Sequence, residues 1–91
     1  MKIAVSKKAI NQVSKLSFKL QDVISLVIKE IIEAESIENV INSKKMRGHA
    51  TAYKIWLSGE YRMGIYLKDN TVRIATVELR NKIYNTFPWN H

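Results

Sequence analysis

The sequence predicts an α+β domain with the order β-α-α-β-β-β, in which an antiparallel sheet packs on two N-terminal helices and a short helical element follows. Two patterns support this fold class. Apolar residues between positions 20 and 32 recur at i, i+3, i+4 spacing, as in a buried helix. After position 51 they alternate with polar residues, and turn signals interrupt the alternation. A chain of 91 residues corresponds to one domain, 1–91.

The first elements are a short strand and two capped helices. Alternation predicts a strand from Lys2 to Val5. Ser6 can cap a helix from Lys7 to about Ser14, with Ile10 and Val13 inward. Ser17 can cap a second helix that frays near Glu35. Its core-facing stripe is predicted to be Leu20, Val23, Ile24, Val27, Ile28, Ile31 and Ile32. Residues 36–45 are predicted to form a connector with one helical turn.

The second half is predicted to be sheet, with strands over 52–57, 60–67 and 71–77. A three-residue loop, Leu57-Ser58-Gly59, would place Lys54 opposite Arg62, and Asp69-Asn70 would form a two-residue turn. Like charges directly opposite each other weaken strand pairing. The Lys54–Arg62 pair therefore predicts a sheet face that holds a polyanion.

The alternation divides the sheet residues between two faces. One face should cover the helices: Tyr53, Ile55, Leu57, Tyr61, Met63, Ile65, Leu67, Val72, Ile74 and Thr76. The other should be cationic, aromatic and open to a ligand near Gly64, where Ala75 is expected opposite: Lys54, Trp56, Arg62, Gly64, Tyr66, Arg73 and Ala75. Leu79 to Tyr84 is predicted to turn helically, Pro88 to end that element, and residues 89–91 to be mobile.

Composition narrows the class of protein. There is no cysteine, so disulfides, thiolate chemistry and cysteine zinc sites are excluded. The N-terminus has no long apolar run of the kind found in a signal peptide, and charged residues interrupt the longest apolar stretch. These features predict a cytoplasmic protein that does not cross a membrane.

The positive charge is concentrated in the second half. Residues 1–43 carry six lysines and five acidic residues, a net charge of +1, whereas residues 44–91 carry nine Lys or Arg and three acidic residues, a net charge of +6. All four arginines share this half with both tryptophans and all four tyrosines. Cations interleaved with aromatic side chains favour RNA or DNA over a merely solvated basic face.

At four places the sequence resembles the RelE/ParE toxin superfamily, and within it the RelE-like mRNA interferases. These are Met46-Arg47-Gly48, Tyr53-Lys54-Ile55, Gly59-Glu60-Tyr61-Arg62, and Arg80 with Tyr84 four residues later. The resemblance extends over nearly the whole chain in length and element order. It implies the toxin of a type II toxin–antitoxin system, a metal-independent endoribonuclease with no cofactor. Such an enzyme cuts mRNA in the 30S ribosomal A site, and a cognate antitoxin suppresses it in a hetero-oligomer.

The resemblance also implies roles for individual residues. Lys54 would activate the 2′-hydroxyl or hold the phosphate, and Arg62 would stabilise charge on the scissile phosphate. Arg80 would lie near the leaving oxygen, and Tyr84 would stack on a base. Further RNA contacts are expected from a set of basic and aromatic side chains: Lys45, Arg47, Trp56 and Arg73.

Trp56 departs from the family pattern, because the most active members carry a second lysine there. This substitution leaves two alternatives open: a ParE-like DNA gyrase inhibitor without nuclease activity, and a toxin that binds RNA or antitoxin but has lost activity. His49 and Glu78 lie near the motifs and could act as acid or base. Each is nevertheless expected to be structural or solvated, with Glu78 paired to Arg80 or Arg62.

Overall fold

The computed structural model describes residues 1–88, which form a five-stranded sheet with helices against both faces. The elements in chain order are β1 (Lys2–Val5), α1 (Lys7–Ser14), α2 (Phe18–Glu33), a 3-10 turn (Ile37–Asn39), β2 (Ser43–Lys45), β3 (Ala52–Trp56), β4 (Tyr61–Lys68), β5 (Thr71–Leu79) and α3 (Arg80–Thr86). The sheet order is β1-β5-β4-β3-β2. The mobility predicted for residues 89–91 concerns positions outside the described residues.

Serine caps begin both N-terminal helices, as predicted. The Ser6 hydroxyl accepts a hydrogen bond from the Ala9 N–H at 3.1 Å, and the Ser17 hydroxyl accepts one from the Leu20 N–H at 3.2 Å. These bonds satisfy amide groups that have no partner within the helix. The predicted bounds of β1 and α1 are confirmed, and α2 begins where its cap predicts.

The buried stripe of the helices is narrower than predicted. Residues Leu20, Ile24 and Ile31 are buried, and Val23, Val27 and Ile28 pack against them while remaining partly exposed. The inward orientation predicted for Ile10 and Ile32 is wrong, since these side chains are 55% and 53% exposed. In α1 the fully buried residue is Ala9 instead.

The sheet is mixed, which corrects the prediction of a purely antiparallel sheet. Strand β1 pairs in parallel with β5, from Lys2 opposite Thr71 to Val5 opposite Ile74. The chain between these two strands contains both helices and the other three strands, and so is long enough for the connection that a parallel arrangement requires. Strand β2 was also missed: the predicted helical turn lies at Ile37–Asn39, but the end of the connector pairs with β3.

The hairpin of β3 and β4 has a longer loop than predicted. Gly59 does adopt the left-handed conformation, with φ at +61°. The register is nevertheless two residues away from the prediction, with Lys54 opposite Gly64 and Trp56 opposite Arg62. A shift of two leaves every side chain on its predicted face, because side chains alternate with a period of two. A like-charge pair does exist, but it joins Lys54 to Lys44 of β2.

The turn between β4 and β5 is confirmed, and a bulge changes the register beyond it. Asp69 and Asn70 both have positive φ, and Tyr66 lies opposite Arg73 as predicted. Between Gly64 and Ile65 the register slips, so Gly64 faces Thr76 and not Ala75. Thr76 was predicted to cover the N-terminal helices but lies on the other face.

The second face of the sheet is partly covered, which corrects the prediction that it is open near Gly64. Helix α3 packs there through a small second core of Met46, Ala52, Ala75, Ile83 and Phe87. A Cβ atom built on Gly64 would lie 2.8 Å from the Phe87 ring. The small residue accommodates this ring and not a ligand. The part of this face that remains open lies towards β2.

We expect Gly64→Ala to destabilise the protein by about 1–3 kcal/mol, because the added methyl group would overlap the buried Phe87 ring. Urea denaturation monitored by circular dichroism measures the change. The matched control is the same substitution in a Phe87→Ala background, where the methyl group has room and the cost should largely disappear. An equal cost in both backgrounds would contradict this packing.

Candidate nucleic-acid interface

A groove of about 1030 Å³ opens on the uncovered part of this face, between the segment from β2 to Ala50 and the end of α3. Its lining residues are Lys44, Lys45, Met46, Arg47, Gly48, His49, Ala50, Lys54, Tyr84, Phe87 and Pro88. Four of them are cations, and none of the described residues in the lining is acidic. A concave surface of one sign concentrates a ligand of the opposite charge.

Lys54 and Tyr84 meet in the wall of this groove. The Lys54 ammonium donates a hydrogen bond to the Tyr84 hydroxyl and lies 4.8 Å from the centroid of its ring. Lys54 is placed by the middle of β3, and Tyr84 is placed by α3 after the chain turns back over the sheet. Two residues thirty positions apart in the sequence are thus brought together. The Tyr84 ring is more than half exposed and available for stacking.

Electrostatics at this contact act on the phenol of Tyr84. The hydrogen bond from Lys54 lowers the pKa of Tyr84 below its ordinary value, and the positive charges of Lys54, Arg62 and Arg80 add to the effect. Slight burial acts in the opposite direction. The lowered pKa is therefore a measurable signature of the contact.

We expect Lys54→Met to raise the pKa of Tyr84 towards the ordinary value of about 10, because the strongest contribution to its lowering is lost. Titration of ¹³C-labelled tyrosine by NMR measures this, with Tyr84→Phe identifying the resonance. Lys68→Met, which removes an exposed lysine at the far end of β4, is the matched control. An unchanged Tyr84 titration in Lys54→Met would show that the two side chains do not meet in solution.

The exposure of Arg62 differs most from the prediction made for a site residue. Arg62 was predicted to be a surface cation, yet only 8% of it is exposed. Its Nη1 donates to the carbonyl oxygens of Gly59 and Tyr61, both at 2.9 Å. Its guanidinium lies 5.1 Å from the centroid of the Trp56 ring, which is half exposed. Arg62 and Trp56 therefore form one unit beside the groove, with the aromatic ring outermost.

Two other predicted arginines lie outside the groove lining. Arg80 begins α3, where its N–H bonds to the Glu60 carbonyl oxygen at 2.6 Å and its side chain lies 3.7 Å from the Glu60 carboxylate. Its charge is near enough to lower the pKa of Tyr84. Arg73 is exposed on β5 opposite Tyr66 and is not part of the groove lining.

Glu78 lies directly opposite Arg62 in the sheet, but the ion pair predicted for it with an arginine is replaced by other contacts. Its carboxylate bonds to the hydroxyls of Thr76 and Thr86 and lies 3.9 Å from the Lys8 ammonium. His49, expected to be structural, lines the groove and is partly buried. Lys44 is a cation of the groove that was not predicted from the sequence. It lies opposite Lys54 because β2 pairs with β3.

Other classes of site were sought in the described part of the chain. Among residues 1–88, no three His, Cys, Asp or Glu side chains come together as a metal site would require. No described helix is both long enough and apolar enough to cross a membrane.

Comparisons with individual proteins, in sequence and in structure, agree on RelE toxins. No protein-family profile matches the chain. The chain is 28% identical over 89 residues to Toxin RelE3 of Methanocaldococcus jannaschii, an alignment that covers 97% of this chain and 100% of that protein.

Solved structures give the same result. The RelB–RelE antitoxin–toxin complex from Methanococcus jannaschii matches with a TM-score of 0.77 and 26% identity, over 93% of this chain and 99% of that one. The isolated RelE toxin of E. coli matches with a TM-score of 0.72 and 25% identity, over 92% of this chain and 90% of that one. The likeness in sequence, length and fold identifies the chain as a RelE-like toxin.

Proposed function

We propose that this toxin is a metal-independent endoribonuclease that cleaves mRNA in the ribosomal A site and so inhibits translation. The observation that carries the proposal is the contact of Lys54 with Tyr84 in the wall of a groove lined by three further cations. A single-stranded RNA needs both features, cations for its phosphates and an aromatic face for a base.

In the proposed reaction the 2′-hydroxyl oxygen attacks the adjacent phosphorus and the bond from phosphorus to the 5′ oxygen breaks. The products are a 2′,3′-cyclic phosphate and a 5′-hydroxyl. Negative charge builds on the phosphate oxygens, and fixed cationic donors stabilise it. Lys54 and Lys44, opposite each other on the sheet, are the cations for this role. Arg80, whose positive charge is near enough to act on Tyr84, would stabilise the leaving oxygen.

Two protons must also move. The proton from the 2′-hydroxyl requires an acceptor, and the 5′ oxygen requires a donor. Imidazole exchanges protons most readily near neutral pH, which suits the groove-lining His49 to the first task. The Lys54 ammonium, which already donates to Tyr84, suits the second. The Trp56 ring, backed by the Arg62 guanidinium, offers a stacking surface for a neighbouring base.

Mapping 5′ ends of cellular mRNA after expression tests this function. Wild-type protein should produce codon-phased cuts within translated regions, and Lys54→Met at equal abundance should produce none. Intact mRNA together with induction of the DNA-damage response would instead indicate gyrase inhibition and would overturn the proposal.

We further propose a cognate antitoxin as partner. RelE was crystallised with RelB in complexes from Methanococcus jannaschii and E. coli. In this chain the net charge of +6 in residues 44–91 favours a partner segment rich in acidic residues. Co-expression with such an antitoxin should restore growth. A purified complex that cleaves as fast as the free toxin would exclude inhibition by this route.

A further inference from the structure

Helix α3 is held from two sides and from below. On one side the Thr86 hydroxyl donates to the Glu78 carboxylate at 2.6 Å. On the other side the Tyr84 hydroxyl accepts from Lys54. Beneath the helix, Ile83 and Phe87 are 0% and 1% exposed in the second core. A helix of only seven residues owes its place to these contacts and not to its own stability.

The carboxylate of Glu78 is itself held in place by side chains of β5 and α1. It accepts a hydrogen bond from the Thr76 hydroxyl at 2.7 Å and lies 3.9 Å from the Lys8 ammonium of α1. The Thr76 hydroxyl in turn accepts a hydrogen bond from the Gln12 Nε2 at 3.0 Å, and the Gln12 Oε1 accepts one from the Val77 N–H at 2.7 Å. These contacts therefore fix the carboxylate that accepts the hydrogen bond from Thr86.

The two lateral contacts are coupled by helix geometry. Residues 84 and 86 are two positions apart, so their side chains point about 200° apart around the helix axis. A rotation that releases Thr86 therefore also turns Tyr84 relative to Lys54. The geometry points to Glu78 as a positioning residue that fixes the rotation of α3 and so holds Tyr84 against Lys54. Its effect on cleavage rests on the proposed function, whereas its effect on Tyr84 does not.

Thr86→Val tests the inference, because it removes the hydroxyl and keeps the branched shape of the side chain. The pKa of Tyr84 in the RNA-free protein, followed by NMR of ¹³C-labelled tyrosine, should rise towards its ordinary value. Thr86→Ser keeps the hydroxyl and should titrate like the wild type. A merely structural role for Thr86 would lower thermal stability and leave the titration of Tyr84 unchanged, which would overturn the inference.

Cleavage supplies a second readout. On ribosome-bound mRNA, Thr86→Val should lower kcat by up to about 100-fold, the scale expected when a reacting group is displaced, with KM little changed. Thr86→Ser should keep the wild-type rate. If the wild type does not cleave, the proposed function fails, and the titration still decides the role of Glu78.

Glu78→Met provides a second variant should Thr86→Val fail to fold. One carboxylate oxygen of Glu78, Oε2, accepts from both hydroxyls and faces Lys8, and methionine keeps the length of the side chain without an oxygen acceptor. We expect a rise in the pKa of Tyr84 in this variant too. A wild-type titration in Glu78→Met would overturn the inference.

Discussion

Arg62→Ala should abolish growth inhibition and lower the free energy of unfolding by about 1–3 kcal/mol. The stability loss is expected because Arg62 is buried and its guanidinium donates to the carbonyl oxygens of Gly59, in the β3–β4 loop, and Tyr61, at the start of β4. Removing it leaves those oxygens without their donor and Trp56 without the cation beneath its ring. Activity should fall by about 100-fold, because the Trp56 stacking surface loses the cation that holds its ring in place beside the groove.

Two variants separate these effects. Arg62→Lys keeps the charge but not the planar fork, so it should recover part of the stability and little of the toxicity. Arg73→Ala removes an exposed arginine two strands away from Lys54 and should change neither quantity appreciably. Growth assays at matched protein abundance and urea titrations measure both. An Arg62→Ala protein that remains fully toxic would contradict the role assigned to this residue.

Ile31→Ala should cause the largest stability loss of any single change considered, about 2–5 kcal/mol. Its side chain is fully buried near the end of α2, in the main core of the protein. For a domain of this size, that loss corresponds to a fall in Tm of at least about 8 °C.

The neighbouring Ile32→Ala is a closely matched control. Ile32 has the same side chain on the same helix but is 53% exposed, so its removal should cost within about 0.5 kcal/mol. Thermal unfolding followed by circular dichroism distinguishes the two. Equal shifts for the two variants would show that α2 packs with a different face towards the sheet.

Elements governed by local chemistry could be predicted from the sequence. Ser6 and Ser17 each place a hydroxyl where a helix begins, and both helices start there. Asp69 and Asn70 are among the residue types that tolerate positive φ, and the two-residue turn is present. Such signals lie within a few residues of the structure that they specify.

Features that depend on distant partners could not be predicted in the same way. The predicted register of the β3–β4 hairpin is wrong by two residues, because Gly59 fixes a backbone conformation but not the pairing of Lys54. The bulge beside Gly64 and the short strand β2 likewise depend on neighbouring strands. For this reason Lys44 was missed in the groove.

The register error also changes the argument for the site. The prediction of a polyanion-binding face depended on repulsion between Lys54 and Arg62, but these residues do not lie opposite each other. Both side chains nevertheless lie on the predicted face. The like-charge pair that does exist joins Lys54 to Lys44. The groove and the contact of Lys54 with Tyr84 now carry the proposal in its place.

The central claim is that cleavage depends on the ribosome. The groove supplies cations and stacking surfaces, but its openness leaves a flexible RNA strand free to adopt many geometries. In-line attack requires the 2′ oxygen, the phosphorus and the leaving oxygen to be aligned, and imposed alignment contributes a large part of such a rate. A ribosome that holds the codon in the A site would impose it, while Tyr84 or Trp56 stacks on a base.

The most direct test compares one labelled transcript with and without programmed ribosomes, at the same concentration of purified toxin. We predict codon-positioned cleavage on the ribosome and little or none in naked RNA, with Lys54→Met inactive in both. Equal cleavage of the transcript in the presence and absence of ribosomes would contradict the claim.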